Sequence, residues 1–195
     1  MRYLQMPDTC LYFIAIIPPE DISAEVTSFK QELADTYNTK KALRVMPHIT
    51  LKAPFTINAN RDAEVMKWFL NIETNSPPFE TILNGFGAFD NPRNPVLFVK
   101  PEVSAAMRRL QKDILSAFKK QFPNIPVHFH EDEFHPHMTV GYRDLAYAEF
   151  EKAWVVFKDR EYKSSFTIDS FCLLKHNGEH WKVTSYKTLA NKDTL

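Results

Sequence analysis

Glycine is scarce in this sequence, with four residues in 195 against 13 prolines. None of the four forms the GxGxxG or GxxxxGK[ST] pattern, in which a glycine-rich turn and a helix start bind phosphates. The sequence therefore excludes the dinucleotide-binding and P-loop classes of protein.

The sequence also has only two cysteines, no net formal charge and no long apolar run. Cys10 and Cys172 are too few for a disulfide framework or a cysteine-rich zinc site, and they indicate buried thiols in a reducing compartment. Basic and acidic residues both number 24, and a chain of zero formal charge is poorly suited to long DNA. The apolar run at 11–17 is far shorter than the roughly 20 residues of a membrane span, and no leader-peptide cleavage site follows it. We expect a cytoplasmic protein with no membrane partner.

Hydrophobic periodicity divides the chain into alternating helices and strands, with 16 phenylalanines to supply a ring-rich core. Helices are predicted at 20–37, 58–73, 102–122 and 145–157. Strands are predicted at 11–17, 47–55, 79–89, 96–99, 138–142, 166–175 and 181–186, the last two as a hairpin around Asn177-Gly178 in a type I′ turn. Helices separated by antiparallel strand pairs indicate the α+β class. No linker divides the chain, so we expect one domain over residues 1–195.

One short pattern occurs twice, nearly half the chain apart: Pro-His-Ile-Thr-Leu at 47–51 and Pro-His-Met-Thr-Val at 136–140. Side chains alternate along a strand, so a histidine and a threonine two positions apart share one face at a separation of about 6.6 Å. The apolar residues between them then point into a core. Each copy is predicted to present one imidazole and one hydroxyl to a common cleft.

Two imidazoles and two hydroxyls suit phosphodiester chemistry. A neutral histidine takes a proton from the nucleophile, and a protonated one gives a proton to the leaving oxygen. The threonine hydroxyls donate to the nonbridging phosphate oxygens as negative charge develops. His48, Thr50, His137 and Thr139 are therefore the predicted catalytic residues.

These paired motifs resemble the 2H phosphoesterase superfamily, in particular its bacterial 2′-5′ RNA ligase and RNA 2′,3′-cyclic phosphodiesterase group. The matching segments are the opening strand Tyr-Phe-Ile-Ala-Ile at 12–16, PHITLKAPF at 47–55, FHPHMTVG at 134–141 and the final hairpin. The resemblance implies two pseudo-symmetric lobes, with antiparallel sheets that line a central cleft and helices outside. It also implies a phosphoesterase that needs no metal or other cofactor and acts on 2′,3′-cyclic or 2′-5′ phosphodiester bonds. The expected substrate is an RNA end or a small nucleotide, and the expected state is a monomer.

Substrate-positioning residues are predicted around this pair of motifs. Members of the group often have arginine five residues after the second histidine. Here that position is Tyr142, and Arg143 follows it, on the face of His137 if the strand stays regular. Lys52 would share the face of His48 by the same alternation. A base would stack on one of several aromatic rings, namely Phe13, Phe55, Phe89, Tyr142 or Trp181. The basic loop at 40–44 is the segment that we expect to lie near an RNA strand.

Two other functions remain open at this point. The segment 128–137 contains four histidines and three acids, which is typical of a metal site and favours a metal-dependent hydrolase. That hypothesis leaves the first motif unexplained, and no HExxH pattern is present. The other alternative is a nucleotide-binding module on the same fold without catalysis, which the intact His and Thr of both motifs disfavour.

Overall fold

The computed structural model describes residues 9–190, apart from the side chains of residues 129 and 130, so both ends of the predicted domain lie outside the described residues. Eight strands and five helices occur in the described part. The strands are β1 (Thr9–Ile16), β2 (Ile49–Asn58), β3 (Phe79–Phe89), β4 (Val96–Pro101), β5 (Met138–Gly141), β6 (Lys163–Ile168), β7 (Ser170–His176) and β8 (Trp181–Thr188). The helices are α1 (Glu20–Tyr37), α2 (Asp62–Leu70), α3 (Ala105–Gln121), α4 (Phe129–Asp132) and α5 (Tyr147–Phe157), and short 3₁₀ turns lie at Lys41–Arg44 and Ala59–Arg61.

The strands form two four-stranded antiparallel sheets. The order is β2-β1-β7-β8 in the first sheet and β5-β4-β3-β6 in the second. Each sheet has at one edge the strand that carries a His-x-Thr motif, paired with the strand that precedes it in the chain. A long helix connects each such pair, α1 in the first lobe and α3 in the second. The predicted α+β class with two pseudo-symmetric lobes is confirmed.

The two lobes are joined because each long helix packs against the motif strand of the other lobe. Helix α1 contacts β5, and α3 contacts β2. At the first contact, Gly141 of β5 lies against Leu33 of α1, whose Cδ1 would be 3.4 Å from an added Cβ. One apolar cluster contains buried residues of both sheets, such as Ile14 and Leu97. The position of each motif is thus fixed by both halves of the chain.

The end of the chain differs from its prediction in two ways. The strand predicted at 166–175 is broken at Asp169: β6 pairs with β3 in the second sheet, and β7 pairs with β1 in the first. The burial pattern explains the break, because β6 alternates between buried and exposed residues whereas 171–174 are buried consecutively. The turn is a four-residue loop, closed by the pair His176–Trp181, in which Asn177 Oδ1 accepts hydrogen bonds from the backbone of Glu179 and His180. Only Gly178 has a positive φ there, so the turn is not type I′.

Within residues 9–190, no helix combines the length and the apolar character needed to cross a membrane.

Candidate active site

Both motifs sit at the first residues of an edge strand. His48 immediately precedes β2 and His137 immediately precedes β5, while Thr50 and Thr139 are the second residues of those strands. All four side chains are half-buried. The apolar residues that alternate with them are buried in the core: Ile49, Leu51, Met138 and Val140. The strands therefore present His and Thr on one face from a fixed apolar backing.

The two histidines are held in the same way. His48 Nδ1 lies 2.7 Å from the carbonyl oxygen of Met46, and His137 Nδ1 lies 2.8 Å from that of His135. A carbonyl oxygen only accepts hydrogen bonds, so Nδ1 must donate in both rings. In the neutral form each imidazole then has its free lone pair at Nε2. Each ring is fixed in the tautomer that leaves Nε2 available for proton transfer.

Aromatic rings pack against each imidazole. The Phe13 ring lies 5.0 Å from the His48 ring, between centroids, and it also packs edge-on against Trp181. Phe89 and Phe98 lie 5.1 and 5.5 Å from the His137 ring. These contacts restrict the rotation of both rings and exclude water from one side of each.

Burial lowers the pKa of both histidines. The pKa of His48 falls to about 4, because desolvation of the ring outweighs the hydrogen bond to Met46, and the positive charges of Lys30 and His137 lower it further. Burial also lowers the pKa of His137 below its usual value, against the opposing effect of its own hydrogen bond to His135. In the free protein both rings are therefore neutral at pH 7, and His48 is the more difficult to protonate.

A pocket of about 160 Å³ lies at the first motif. It brings together several of the predicted site residues with Lys30, which was not predicted, and its lining includes Phe13, Lys30, His48, Thr50, Thr139, Tyr142, Arg143 and Trp181. His137 borders a larger groove of about 1000 Å³, which Phe89 and Phe98 also line. The convergence of all four motif residues on one phosphate stays a prediction. One observation favours it: Thr139, from the second motif, lines the pocket of His48.

Arg143 lines the pocket although it lies beyond the end of β5, where the alternation of side chains along a strand no longer applies. Strand β5 ends at Gly141, and Arg143 has a φ of 60°, in the left-handed region that is uncommon for residues other than glycine. Its guanidinium lies 5.1 Å from the centre of the Tyr142 ring. The next residue, Asp144, accepts hydrogen bonds from the Thr39 hydroxyl and the Lys40 backbone, which fixes this turn to the loop after α1.

Lys52 does not line the pocket, and its predicted position on the face of His48 is wrong for a structural reason. Along β2 the pairing with β1 shifts: Ala15 faces Thr50, but Ile14 faces Lys52, so β2 advances two residues where β1 advances one. Such a bulge turns the following side chain to the opposite face. Lys52 is fully buried, 4.5 Å from the centre of the Phe118 ring and 2.9 Å from Glu131 Oε1. It belongs to the core.

The histidine-rich segment does not form an evident metal centre. The Glu131 carboxylate points inward and accepts hydrogen bonds from the backbone nitrogens of Ala53 and His128 as well as from Lys52. His135 is exposed, and its nearest acidic atom, on Glu133, is 4.0 Å away. No group of three or more His, Cys, Asp and Glu residues able to hold a metal ion occurs among the side chains that the structure describes. The side chain of His130 lies outside those residues.

Lys30 is the residue of this site that sequence reasoning missed. It lies on the buried face of α1, and its Nζ donates a hydrogen bond of 2.7 Å to the carbonyl oxygen of Val45. The sequence contained a signal, because a lysine four residues after Val26 stands on the apolar face of an otherwise amphipathic helix. Trp181, one of the rings predicted for base stacking, packs edge-on against Phe13 and lines the pocket.

The chain is similar to known proteins in both sequence and fold. The family model described as "2'-5' RNA ligase superfamily" matches residues 18–180. Two relatives, from Geobacillus kaustophilus (strain HTA426) and Geobacillus thermodenitrificans (strain NG80-2), are both named "Putative phosphoesterase"; each is 30% identical over 186 residues, which cover 94% of this chain and 99% of the relative.

Two solved structures share the fold. TT0787 of Thermus thermophilus gives a TM-score of 0.63 at 19% identity, over 93% of this chain and 99% of that one. Escherichia coli LigT, crystallised with 3'-AMP, gives 0.64 at 17% identity, over 94% and 99%. The chain therefore belongs to the 2′-5′ RNA ligase superfamily, the two-histidine phosphoesterases that its paired motifs resemble.

Proposed function

We propose that this protein is a phosphoesterase that cleaves a 2′,3′-cyclic or 2′-5′ phosphodiester by two-histidine acid-base catalysis without a metal ion. One observation carries the proposal: the two motif histidines have matching hydrogen bonds from Nδ1 to a backbone carbonyl, which leave Nε2 free on both. An acid and a base of the same residue type, each held in one tautomer, are what such a reaction requires.

The pKa values support an assignment of roles. His48, with a pKa of about 4, is neutral at every pH near 7 and acts as the base. In hydrolysis, its Nε2 takes a proton from water as the water oxygen forms the new bond to phosphorus. His137 gives its proton to the ribose oxygen as the old P–O bond breaks. A phosphate between the rings raises the pKa of both, which allows His137 to be protonated when substrate is bound.

Thr50 and Thr139 complete this arrangement, because both hydroxyls line the pocket of His48. They donate hydrogen bonds to the nonbridging oxygens, where charge develops in the transition state. The reverse reaction, ligation to a 2′-5′ bond, passes through the same transition state, so the same residues serve both directions.

An RNA end is the substrate that the surroundings favour. The pocket of about 160 Å³ is smaller than the roughly 300–1,000 Å³ of ligand sites that enclose a whole molecule, so it fits the phosphate and little more. A basic groove continues from it, with Val45, Tyr142, Arg143 and Trp181 common to both. The rest of the basic groove is formed by Lys41, Arg44, His176, Glu179 and His180.

Three permanent cations outnumber one acid in the basic groove, which suits a further phosphate of an RNA strand. A LigT structure crystallised with 3'-AMP has the same fold, which is consistent with a nucleotide ligand here. The cytoplasmic location and the monomeric state stay predictions.

A substrate panel tests this function. We expect the purified protein to hydrolyse 2′,3′-cyclic nucleotides or 2′-5′-linked dinucleotides in the presence of EDTA, and to leave 3′-5′-linked dinucleotides intact. Activity that disappears with EDTA and returns with zinc would support the metal-dependent alternative. Binding of these nucleotides without turnover would support the non-catalytic alternative.

A further inference from the structure

We propose that Lys30 is the cation that binds the phosphate group in the small pocket, and that it takes up a proton when an oxyanion arrives. The proposal rests on the function proposed above and adds a positioning residue outside both His-x-Thr motifs. Nothing in the paired motifs themselves indicates this residue, since it lies on helix α1.

Lys30 is a buried charge without a charged partner. Its side chain is only 2% exposed, yet it lines the pocket, and no carboxylate of the described residues lies within ion-pair distance of it. An ammonium group has three donors, and Lys30 uses one of them on the carbonyl oxygen of Val45. The other buried lysine, Lys52, is in the opposite situation, because it pairs with Glu131. Among the described residues, the buried Lys52 therefore has an acidic partner within the protein, whereas the buried Lys30 lines a pocket.

Burial without a counter-ion is costly for a cation. Desolvation accordingly lowers the pKa of Lys30 to about 8, so the group is close to losing its proton. A bound oxyanion would remove that cost and raise the pKa towards the ordinary value of lysine, about 10.4. Binding at pH 8 must then be accompanied by uptake of a proton.

The other groups that face the pocket define the ligand. His48, Tyr142 and Arg143 are the titratable residues that line it with Lys30, and the hydroxyls of Thr50 and Thr139 supply neutral donors. Among the described residues, no acidic side chain lines the pocket. Lys30 is hydrogen-bonded to the segment before β2, and it lines the pocket together with Thr50 and Thr139, one residue from each motif. This set fits a tetrahedral oxyanion such as a phosphate diester or sulfate.

Calorimetric titration with inorganic sulfate tests the proposal directly. Sulfate is fully ionised at pH 8 and takes up no proton itself. Titrations in two buffers with different ionisation enthalpies give the number of protons taken up, and we expect Lys30 to contribute about half a proton per sulfate at a pH equal to its pKa. In Lys30→Arg, sulfate should still bind, but proton uptake should fall by that half proton, because arginine is always charged and only the uptake by the histidines is left. In Lys30→Met, the affinity for sulfate should fall by roughly 10–100-fold.

Lys112→Met is the matched control, since Lys112 is exposed on α3 and far from the pocket lining; its sulfate binding and proton uptake should equal those of the wild type. Equal sulfate affinity in Lys30→Met and the wild type would overturn the proposal, and so would unchanged proton uptake in Lys30→Arg. If Lys30→Met does not fold, the comparison between the wild type and Lys30→Arg still decides.

Different results would disprove the phosphoesterase function and the role of Lys30. Hydrolysis of a cyclic phosphate with sulfate binding that does not depend on Lys30 would remove the role of Lys30 and leave the phosphoesterase function intact. Lys30-dependent sulfate binding with no turnover of any phosphodiester would do the reverse.

Discussion

Lys52 and Glu131 form an ion pair inside the protein, with Nζ 2.9 Å from Oε1 and side chains that are 0% and 8% exposed. The pair connects the strand of the first motif to the segment that leads to the second. Glu131 also accepts a hydrogen bond from the backbone nitrogen of Ala53, so its carboxylate holds β2 at two adjacent residues. These contacts join β2 to the segment before β5.

Lys52→Met should destabilise the protein by about 3–5 kcal/mol, because it leaves the Glu131 carboxylate buried without its cation. The double variant Lys52→Met/Glu131→Gln should recover most of that loss, since the amide oxygen still accepts from Ala53 and no charge remains unpaired. The measurement is the free energy of unfolding from urea titrations. Strictly additive losses in the double variant would show that the two residues do not act as a pair.

The sequence predicted most helices and the motif strands well because these depend on local periodicity. The helix at 20–37 and the strand at 79–89 agree with the structure to the residue. Lys52 and Arg143 show why the rest was not predictable. A bulge at Thr50–Lys52 and a positive φ at Arg143 result from packing between strands and loops that are distant in sequence, and alternation along a single strand contains no information on either.

Lys30 illustrates a different limit. Its position on an apolar helix face was visible in the sequence, but what that face covers was not. Only the packing of α1 across the lobe boundary places the residue in the pocket of the first motif. The break at Asp169 was not predictable for a similar reason. It results from the pairing of β7 with β1, a strand that is distant in sequence.

Replacement of either motif histidine should affect turnover far more than binding. We expect His48→Ala and His137→Ala each to lower kcat by about 10²–10⁴-fold, with the double variant little worse than either single one, because acid and base act in one step. Thr50→Ala and Thr139→Ala should cost less, since each removes one hydrogen bond to the developing charge. Steady-state rates on a cyclic phosphate and Kd values for a non-hydrolysable analogue measure the two effects.

His128→Ala is the control for these variants. His128 is exposed and belongs to the histidine-rich segment but to neither motif. Its replacement should leave kcat unchanged if the metal-free mechanism holds. A loss comparable to that of His137→Ala would instead indicate that the segment acts as a unit, as metal ligands do.

The pH dependence of kcat/KM should be bell-shaped and displaced to acid pH. The rate should rise through pH 4, because His48 must be neutral and its pKa is about 4. It should fall again below the ordinary histidine pKa of about 6.5, because His137 must be protonated and burial lowers its pKa. Limbs in kcat should lie at higher pH than those in kcat/KM, since bound phosphate raises both pKa values. A profile with no falling limb on the high-pH side of its maximum would exclude His137 as the acid.

The basic groove should matter for longer substrates only. Lys41 and Arg44 lie on the 3₁₀ turn that leads to the first motif, and the Asp144 carboxylate holds that turn through the backbone nitrogen of Lys41. In Lys41→Ala/Arg44→Ala, kcat/KM for an oligonucleotide with a cyclic phosphate end should fall, and its dependence on salt should weaken by about 0.7 in log-log slope for each phosphate that the groove no longer neutralises. For a cyclic mononucleotide, which places no second phosphate in the groove, both quantities should stay as in the wild type.

Arg108→Ala/Lys112→Ala removes the same two charges from the exposed face of α3 and is therefore the matched control. It separates a specific contact in the basic groove from a general effect of net charge on the encounter with RNA, because a general effect would be equal in the two double variants. Equal losses in both, or an equal loss on mononucleotide and oligonucleotide in the Lys41/Arg44 variant, would mean that the groove does not hold the RNA strand. A loss confined to the Lys41/Arg44 variant and to the oligonucleotide would place the strand beside the first motif, on the side of the pocket that Arg143 and Trp181 share with the groove.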